Sequence, residues 1–221
     1  MEKVLEFLRE LAANNNRDWF EANKEWYNES RNKILFLTEV LIHEIRSFDP
    51  SIQLPEAKDC IFRIFRDVRF SNDKRPYKTN FGSYIAIGGR KSKRAGYYFH
   101  IEPEGSFVGG GVYMPEAENL KAIRNHILKY PENFIEILED PEFRSALPEM
   151  FDHQLKTAPQ GFPKDHPLIH LLRYRSFAFS ARVPDEVVTG GKYIETTVSA
   201  FRQMHRVNLF LNEALEDAVE K

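Results

Sequence analysis

The chain has 221 residues, of which 42% are hydrophobic and 13% aromatic, and its 31 Lys and Arg against 33 Asp and Glu give a formal net charge of -2. This composition supplies a well-filled core and excludes an intrinsically disordered chain. No apolar run approaches the roughly 20 residues of a membrane helix, and the start, MEKVLEFLRE, does not resemble a signal peptide. Cys60 is the single cysteine, so no internal disulfide can form. We therefore expect a cytoplasmic protein without membrane contact.

The N-terminal quarter has the spacing of helices. Apolar residues at helical intervals predict an amphipathic helix over 2–12. Three asparagines at 14–16 end it, and an asparagine side chain there can cap the next helix. We expect that helix from about Arg17 to Phe48, with an interruption near Asn28. Its aromatic residues lie at helical spacing and are interpreted as core or interhelical contacts: Trp19, Phe20, Trp26 and Tyr27.

The middle of the chain changes to the alternating pattern of strands. We predict one mainly antiparallel sheet made of four strands, over residues 60–66, 83–88, 96–102 and 106–113. Glu102-Pro103-Glu104-Gly105 suits a type I turn and predicts a hairpin between the last two. A late strand is expected within 173–183.

Helices return in the C-terminal half. The patterns predict helices over 116–129, 132–145 and about 191–217. Helices, then strands, then helices predict an α+β fold, with a central sheet on which helices from the N- and C-terminal segments pack. We find no composition shift that marks a boundary, so a single domain over 1–221 is expected.

Positive charge is concentrated between Lys58 and Arg94. This stretch has eleven Lys or Arg and three Asp, a balance of +8, which leaves 20 basic and 30 acidic residues, a balance of -10, elsewhere. Such asymmetry is typical of a binding surface. The alternative is that the stretch pairs with acidic helices of its own chain.

The densest part of this stretch, RIFRDVRFSNDKRPYK over residues 63–78, is the candidate ligand site. Arginine offers a planar fork of donors that matches two oxygens of a phosphate or carboxylate, and neighbouring hydroxyl groups add further donors. Together with a tyrosine on a neighbouring strand, the candidate ligand-binding residues are Arg63, Arg66, Arg69, Ser71, Lys74, Tyr77, Lys78 and Tyr98.

The two aspartates of this stretch, Asp67 and Asp73, are expected to orient arginines rather than to bind an anion. A competing interpretation is an internal salt-bridge network that only fastens the loop. That network explains the aspartates well, but two carboxylates do not neutralise six basic side chains.

The same stretch resembles the signature R-x-x-RD-x-RFS-x-DK-x-PYKT of a widespread family of conserved bacterial proteins whose domain has no assigned function. Its positions here run from Arg63 to Thr79. Flanking segments match too: FLRELAANNNRDWFEANKEWY, GYYFHIEPEGSFVGGGVYMP and DHPLIHLLRYRSF. The resemblance implies a cytosolic single-domain protein of about this length, and it supplies no catalytic residue.

His100 is the acid–base candidate, because imidazole titrates near neutral pH. Strand alternation places it on one side with Tyr98 and Glu102. Glycines 109–111 lie across the hairpin, and they predict a hollow beside Tyr98 or, alternatively, a bulge or helix-packing contact. No HExxH or paired CxxC motif is present, and although His166 and His170 are four residues apart, Pro167 and the adjacent loop favour capping over metal binding.

Three functions remain open on these grounds. The first is a site for an anionic, phosphate-bearing small molecule, with no cofactor required and with any subsequent reaction undecided. The second is a nucleic-acid-binding module that uses the basic 58–94 surface, including the loop GGRKSKRAG at 88–96. The third is a structural or partner-binding protein in which the Arg–Asp cluster is scaffolding.

Overall fold

The computed structural model describes residues 1–53 and 56–219. Within them the chain forms ten helices: α1 (Glu2–Ala13), α2 (Arg17–Ala22), α3 (Lys24–Arg46), α4 (Ala57–Cys60), α5 (Ala117–Lys129), α6 (Pro131–Glu139), α7 (Pro141–Ala146), α8 (Ile169–Leu172), α9 (Asp185–Thr189) and α10 (Tyr193–Val219). The strands are β1 (Phe81–Ile85), β2 (Gly96–Ile101), β3 (Phe107–Val112), β4 (Glu149–Met150) and β5 (Phe177–Arg182). They form one antiparallel sheet in the order β1-β2-β3-β5-β4, so the α+β prediction is confirmed.

The predicted helices at the N-terminus are present, but the break lies at Asn23 rather than near Asn28. Asn16 caps α2, as predicted, by accepting a hydrogen bond from the Trp19 amide at 3.0 Å. Asn23 ends α2 because its side-chain nitrogen donates to the Trp19 carbonyl oxygen at 2.9 Å. Asn28 lies inside α3.

The aromatic residues of this region form the predicted seam between helices. The Phe7 ring of α1 lies 6.1 Å from Trp19, 5.7 Å from Trp26 and 6.1 Å from Tyr27, measured between ring centroids. Phe20 is fully buried, and its ring stacks on Tyr77 at 4.0 Å. These contacts join the helical start of the chain to the basic stretch.

The strand predicted over 60–66 is absent. Helix α4 ends at Cys60, and the chain then pairs only at single residues, Ile61 with Ser83 and Phe65 with Tyr77. Pro76, on the returning arm, has no N–H to donate, and its carbonyl oxygen accepts from the Arg66 amide at 2.9 Å. The segment therefore folds back on itself as a loop instead of extending the sheet.

The predicted strand over 83–88 begins and ends earlier, at Phe81 and Ile85. The chain turns after it through Gly88 and Gly89, which have φ of 86° and 68°. These are left-handed conformations that glycine adopts readily, and they cannot continue a strand.

The hairpin of β2 and β3 is confirmed. The Gly105 amide donates to the Glu102 carbonyl oxygen at 3.1 Å and closes the turn, but Glu104 has a φ of 59°, so the turn is not the predicted type I, whose third residue has a negative φ. Tyr97, Phe99 and Ile101 are fully buried, as the alternation predicted. Strand β5 lies within the predicted 173–183, whereas the two-residue β4, which pairs Glu149 with Ser180, carried no strand pattern.

The helix predicted over 132–145 is two helices. Asp140 interrupts it, because its carboxylate caps α7 by accepting from the amides of Glu142 at 2.8 Å and Phe143 at 3.1 Å. Pro141 then takes the first position of α7. The helices predicted over 116–129 and 191–217 correspond to α5 and α10.

The chain divides into two compact units. The first comprises described residues within Met1–Lys91, Tyr98–Val108 and Arg182–Val198; its core includes Phe7, Phe20, Phe81 and Phe99. In it α3 reaches β1, where the buried Thr38 hydroxyl lies 3.4 Å from the Ser83 hydroxyl.

The second unit comprises Ser92–Tyr97, Gly109–Ala181 and the described residues from Ser199 onward. Its core includes Tyr97, Phe134, Phe177 and Phe201. A Cβ at Gly110 would lie 2.2 Å from the Gly96 carbonyl oxygen and 2.7 Å from the Met204 Cγ of α10. The helix-packing alternative therefore accounts for this glycine.

No helix of the described chain is long and apolar enough to cross a membrane.

Candidate functional site

One face of β2 carries a chain of hydrogen-bonded polar groups. The Tyr98 hydroxyl lies 3.1 Å from His100 Nδ1, and His100 Nε2 lies 3.0 Å from Glu102 Oε2. The Thr79 hydroxyl donates to Glu102 Oε1 at 2.7 Å. We call Thr79, Tyr98, His100 and Glu102 the β2 polar chain. Strand alternation predicted that Tyr98, His100 and Glu102 share one side of β2. Thr79 directly follows the basic stretch 63–78.

The carboxylate of Glu102 determines which atoms of the β2 polar chain donate and which accept. An ionised carboxylate only accepts hydrogen bonds, so His100 Nε2 must carry a proton and donate it. Nδ1 of a neutral His100 is then an acceptor, and the Tyr98 hydroxyl donates to it. Burial lowers the pKa of His100 below its usual 6.5, against the opposing effect of Glu102, and so favours this neutral form.

Aromatic rings hold the β2 polar chain in place. The His100 ring stacks on Phe107 with centroids 4.7 Å apart and planes at 15°. The Tyr98 ring meets Phe62 edge-on at 6.3 Å. Gly82 leaves room for Tyr98, because a Cβ there would lie 2.5 Å from the Tyr98 hydroxyl oxygen. The His100 side chain is largely buried, with 13% of its surface exposed.

Lys78 lies beside this chain, and the charge of Arg63 acts on Lys78. The Lys78 ammonium is 5.4 Å from the centroid of the Phe62 ring, the same ring that contacts Tyr98. Burial first, and then the positive charge of Arg63, lower the pKa of Lys78. The charge of Lys78 in turn lowers the pKa of His100. Neither Arg63 nor Lys78 has an ion pair with a carboxylate among the described residues.

The remaining arginines of the basic stretch are paired with its two aspartates. Arg66 and Arg75 contact Asp73 at 2.6 and 2.7 Å, and Arg69 contacts Asp67 at 2.7 Å. Hydrogen bonds from Arg75, then those from Arg66, hold the pKa of Asp73 far below its usual range. Each aspartate thus orients an arginine, the geometry expected both for a supported site and for a structural network.

Three further candidates of the stretch have other contacts. The Lys74 ammonium donates to the Val68 carbonyl oxygen at 3.1 Å. The Ser71 hydroxyl accepts from the Asp73 amide at 3.2 Å and shapes the turn. Tyr77 is buried with 3% of its surface exposed, and its amide donates to Asn15 Oδ1 at 3.1 Å. These contacts fix the loop and carry Lys78 and Thr79 to the end of β2.

Most cations of the basic loop 88–96 contact groups of the same chain. Arg90 donates to the carbonyl oxygens of Lys58 and Asp59 at 3.1 and 2.9 Å. Lys93 pairs with Glu116 at 2.9 Å, and Arg94 pairs with Glu216. A nucleic-acid interface would require positive charge that continues from the basic stretch through this loop. The contacts of Arg90, Lys93 and Arg94 reduce the charge available for it.

A family comparison covers the segments that build this site. Residues 3–210 match the model of a family described as a conserved hypothetical protein, DUF2461. The chain belongs to this family. Its matched range includes the basic stretch and the β2 polar chain. No curated protein and no solved structure matches the chain.

The other titratable candidates do not form a site. His166 Nδ1 accepts from the amide of Leu168, the residue before α8, at 3.1 Å, and His170 Nδ1 lies 3.2 Å from the Pro167 carbonyl oxygen, so both bond to neighbouring backbone groups. Cys60 is buried, and burial raises the pKa of its thiol to about 12. In the part of the chain that the structure describes, no group of three or more His, Cys, Asp or Glu could hold a metal ion.

Sequence reasoning missed four residues of this site: Phe62, Thr79, Gly82 and Phe107. Thr79 carried a signal as the last residue of the family signature, and Glu102 lay in phase with Tyr98 and His100. The two phenylalanines carried none, because alternation alone does not distinguish a ring that frames a site from a ring in the core.

Replacing Gly82 with alanine is expected to separate Tyr98 from His100 while the fold survives. The new Cβ takes the place of the Tyr98 hydroxyl, and the far end of that side chain can swing away. Nitrogen NMR of His100 should report the loss of the Tyr98 hydrogen bond. Denaturant unfolding should change by only about 1–2 kcal/mol. An unchanged His100 spectrum would contradict the contact.

Proposed function

We propose that this protein binds an anionic, phosphate-bearing ligand between Lys78 and Arg63, beside the Tyr98 hydroxyl. The observation that carries the proposal is the pair of cations itself. Burial first, and then the charge of Arg63, lower the pKa of Lys78, which is half-buried. An unpaired, partly desolvated charge costs free energy, and a bound anion would offset that cost.

The chemistry of the donors favours phosphate over a single carboxylate. Two cations match the two negative charges of a phosphate monoester, and a guanidinium offers two parallel N–H donors. Arg66, Arg69 and Arg75 are already satisfied by Asp67 and Asp73, so we assign them to shaping the loop rather than to first contact with the ligand.

A single-stranded nucleic acid is the second candidate, and Phe70 favours it. This side chain is 96% exposed at the tip of the loop, with the Arg69 guanidinium 5.9 Å from its ring centroid. An exposed aromatic ring next to cations is suited to stacking on a base. Binding of a nucleic acid would then depend on Phe70. Binding of phosphate between Lys78 and Arg63 would not depend on Phe70.

Calorimetric titration with phosphate, sulfate, p-nitrophenyl phosphate and a single-stranded oligonucleotide tests the proposal. We expect saturable one-site binding of phosphate and sulfate that Arg63→Ala abolishes and that the exposed control Arg144→Ala leaves unchanged. Absence of small-anion binding with retained oligonucleotide binding would replace the proposal by the nucleic-acid alternative. Absence of both would leave the cluster as scaffolding.

The affinity for sulfate should fall as the pH rises through the pKa of Lys78. That pKa is lowered from 10.5, so the ammonium loses its proton, and with it the attraction for the anion, earlier than an exposed lysine would. Sulfate keeps its charge over this range, which isolates the protein group. Lys78→Arg should keep binding at alkaline pH, because arginine stays protonated. Equal pH profiles for both proteins would contradict the role of Lys78.

A further inference from the structure

We propose that Tyr98 is a catalytic residue that moves a proton during hydrolysis of a phosphate monoester, with His100 and Glu102 as its relay. This activity rests on the proposed anion site. The groups that face His100 are Tyr98 on one nitrogen, Glu102 on the other, and the charge of Lys78 nearby.

The direction of the hydrogen bonds supports this assignment. Tyr98 donates to Nδ1 of a neutral His100, and Nε2 donates to Glu102, so the tyrosine proton can pass to the imidazole and leave an imidazolium beside a carboxylate. Thr79 fixes that carboxylate through its other oxygen. A base oriented by a third group in this way is the usual arrangement of acid–base catalysis.

The reaction step balances without a further reagent. The oxygen of a water molecule attacks phosphorus and forms the new P–O bond. The water proton passes to the Tyr98 oxygen while the Tyr98 proton passes to His100 Nδ1. The bond from phosphorus to the leaving oxygen breaks, and its electron pair stays on that oxygen. The leaving oxygen, on the side of phosphorus opposite the attacking water, takes a proton from solvent, and His100 returns the transferred proton to solvent through Tyr98.

The surroundings favour a monoester with an apolar leaving group. Lys78 and Arg63 together match a dianion, and they can stabilise the charge that develops in the transition state. Phe62 contacts both Lys78 and Tyr98 and is 36% exposed, so it offers an apolar surface beside the proposed phosphate site. We therefore choose p-nitrophenyl phosphate as the probe.

The experiment measures p-nitrophenol release by the full chain, with sulfate affinity measured in parallel. Wild-type protein should hydrolyse the probe above the rate in buffer. Tyr98→Phe should lose about 100-fold or more of the rate, the size of a lost acid–base group, with only a few-fold change in sulfate affinity. The exposed control Tyr113→Phe should keep the wild-type rate.

The relay has a separate signature in the pH profile. On the acidic side the wild-type rate should fall only below pH 6.5, because protonation removes the His100 base and the pKa of His100 is lowered from that value. His100→Gln, which preserves a side chain able to hydrogen-bond, should lose activity and also lose this acidic limb. Thr79→Val should lower the rate less than Tyr98→Phe does.

The two proposals fail in different ways. Sulfate binding without hydrolysis overturns the catalytic inference and leaves the anion site. Hydrolysis that survives Tyr98→Phe, or an acidic limb that survives His100→Gln, also overturns the relay. If the wild-type protein does not bind sulfate, the proposed function itself is wrong.

Discussion

Phe20→Ala is expected to lower the free energy of unfolding by about 3–5 kcal/mol, the usual cost of removing a fully buried phenylalanine. The ring is 0% exposed and touches three aromatic neighbours: Tyr77 at 4.0 Å, Tyr27 at 5.0 Å and Phe65 at 5.9 Å. Since Tyr77 precedes Lys78, the variant should also weaken sulfate binding. Chemical denaturation followed by fluorescence measures the first effect and calorimetry the second.

Two matched variants make this expectation specific. Phe20→Leu retains most of the buried volume and should cost clearly less than the alanine change. Phe36→Ala removes a phenylalanine that is 66% exposed on α3 and should change stability by no more than about 0.5 kcal/mol. Equal losses for Phe20→Ala and Phe36→Ala would show that the aromatic packing around Tyr77 does not hold the basic stretch.

Lys78→Ala is expected to weaken sulfate and phosphate binding by about 1.5–3 kcal/mol, the strength of a charge-assisted hydrogen bond. This corresponds to roughly 10- to 150-fold in the dissociation constant. The same change should leave the free energy of unfolding unaltered or raise it slightly, because it removes a partly buried cation repelled by Arg63. Calorimetry and denaturant unfolding on the same preparations measure both effects.

The control for this variant is Lys91→Ala, an exposed lysine of the 3-10 turn Gly89–Lys91. It removes the same charge from the same region and should leave the dissociation constant unchanged apart from a small effect of net charge. If both variants weaken binding equally, the attraction is a diffuse property of the basic surface. If Lys78→Ala instead unfolds the protein and no anion stabilises the wild type, the cluster is scaffolding.

The hairpin could be predicted because its signals are local. Alternation set the phase of β2, and Glu102 to Gly105 set the turn, so the shared side of Tyr98, His100 and Glu102 followed from sequence. The strand predicted over 60–66 failed for a non-local reason. Its residues alternate suitably, but they pair with their own returning arm through Pro76, which no local pattern shows.

The helix boundaries illustrate the same limit. The breaks at Asn23 and Asp140 depend on which polar side chain bonds to a neighbouring backbone group, and helical spacing alone does not show this. In the candidate site, the six basic residues and two aspartates were evident. Their division was not: among the described residues three arginines pair with the aspartates, whereas Arg63, Lys74 and Lys78 have no carboxylate partner, because pairing depends on how the loop closes.

The most direct test of the anion site is a crystal structure of the wild-type protein soaked with tungstate, a heavy analogue of sulfate and phosphate. Our account predicts a tungstate ion within hydrogen-bond distance of the Lys78 ammonium and the Arg63 guanidinium, adjacent to the Tyr98 hydroxyl, and absent from crystals of Lys78→Ala. Tungstate bound only at Arg69 or Arg75, or no ordered ion near Lys78, would contradict it.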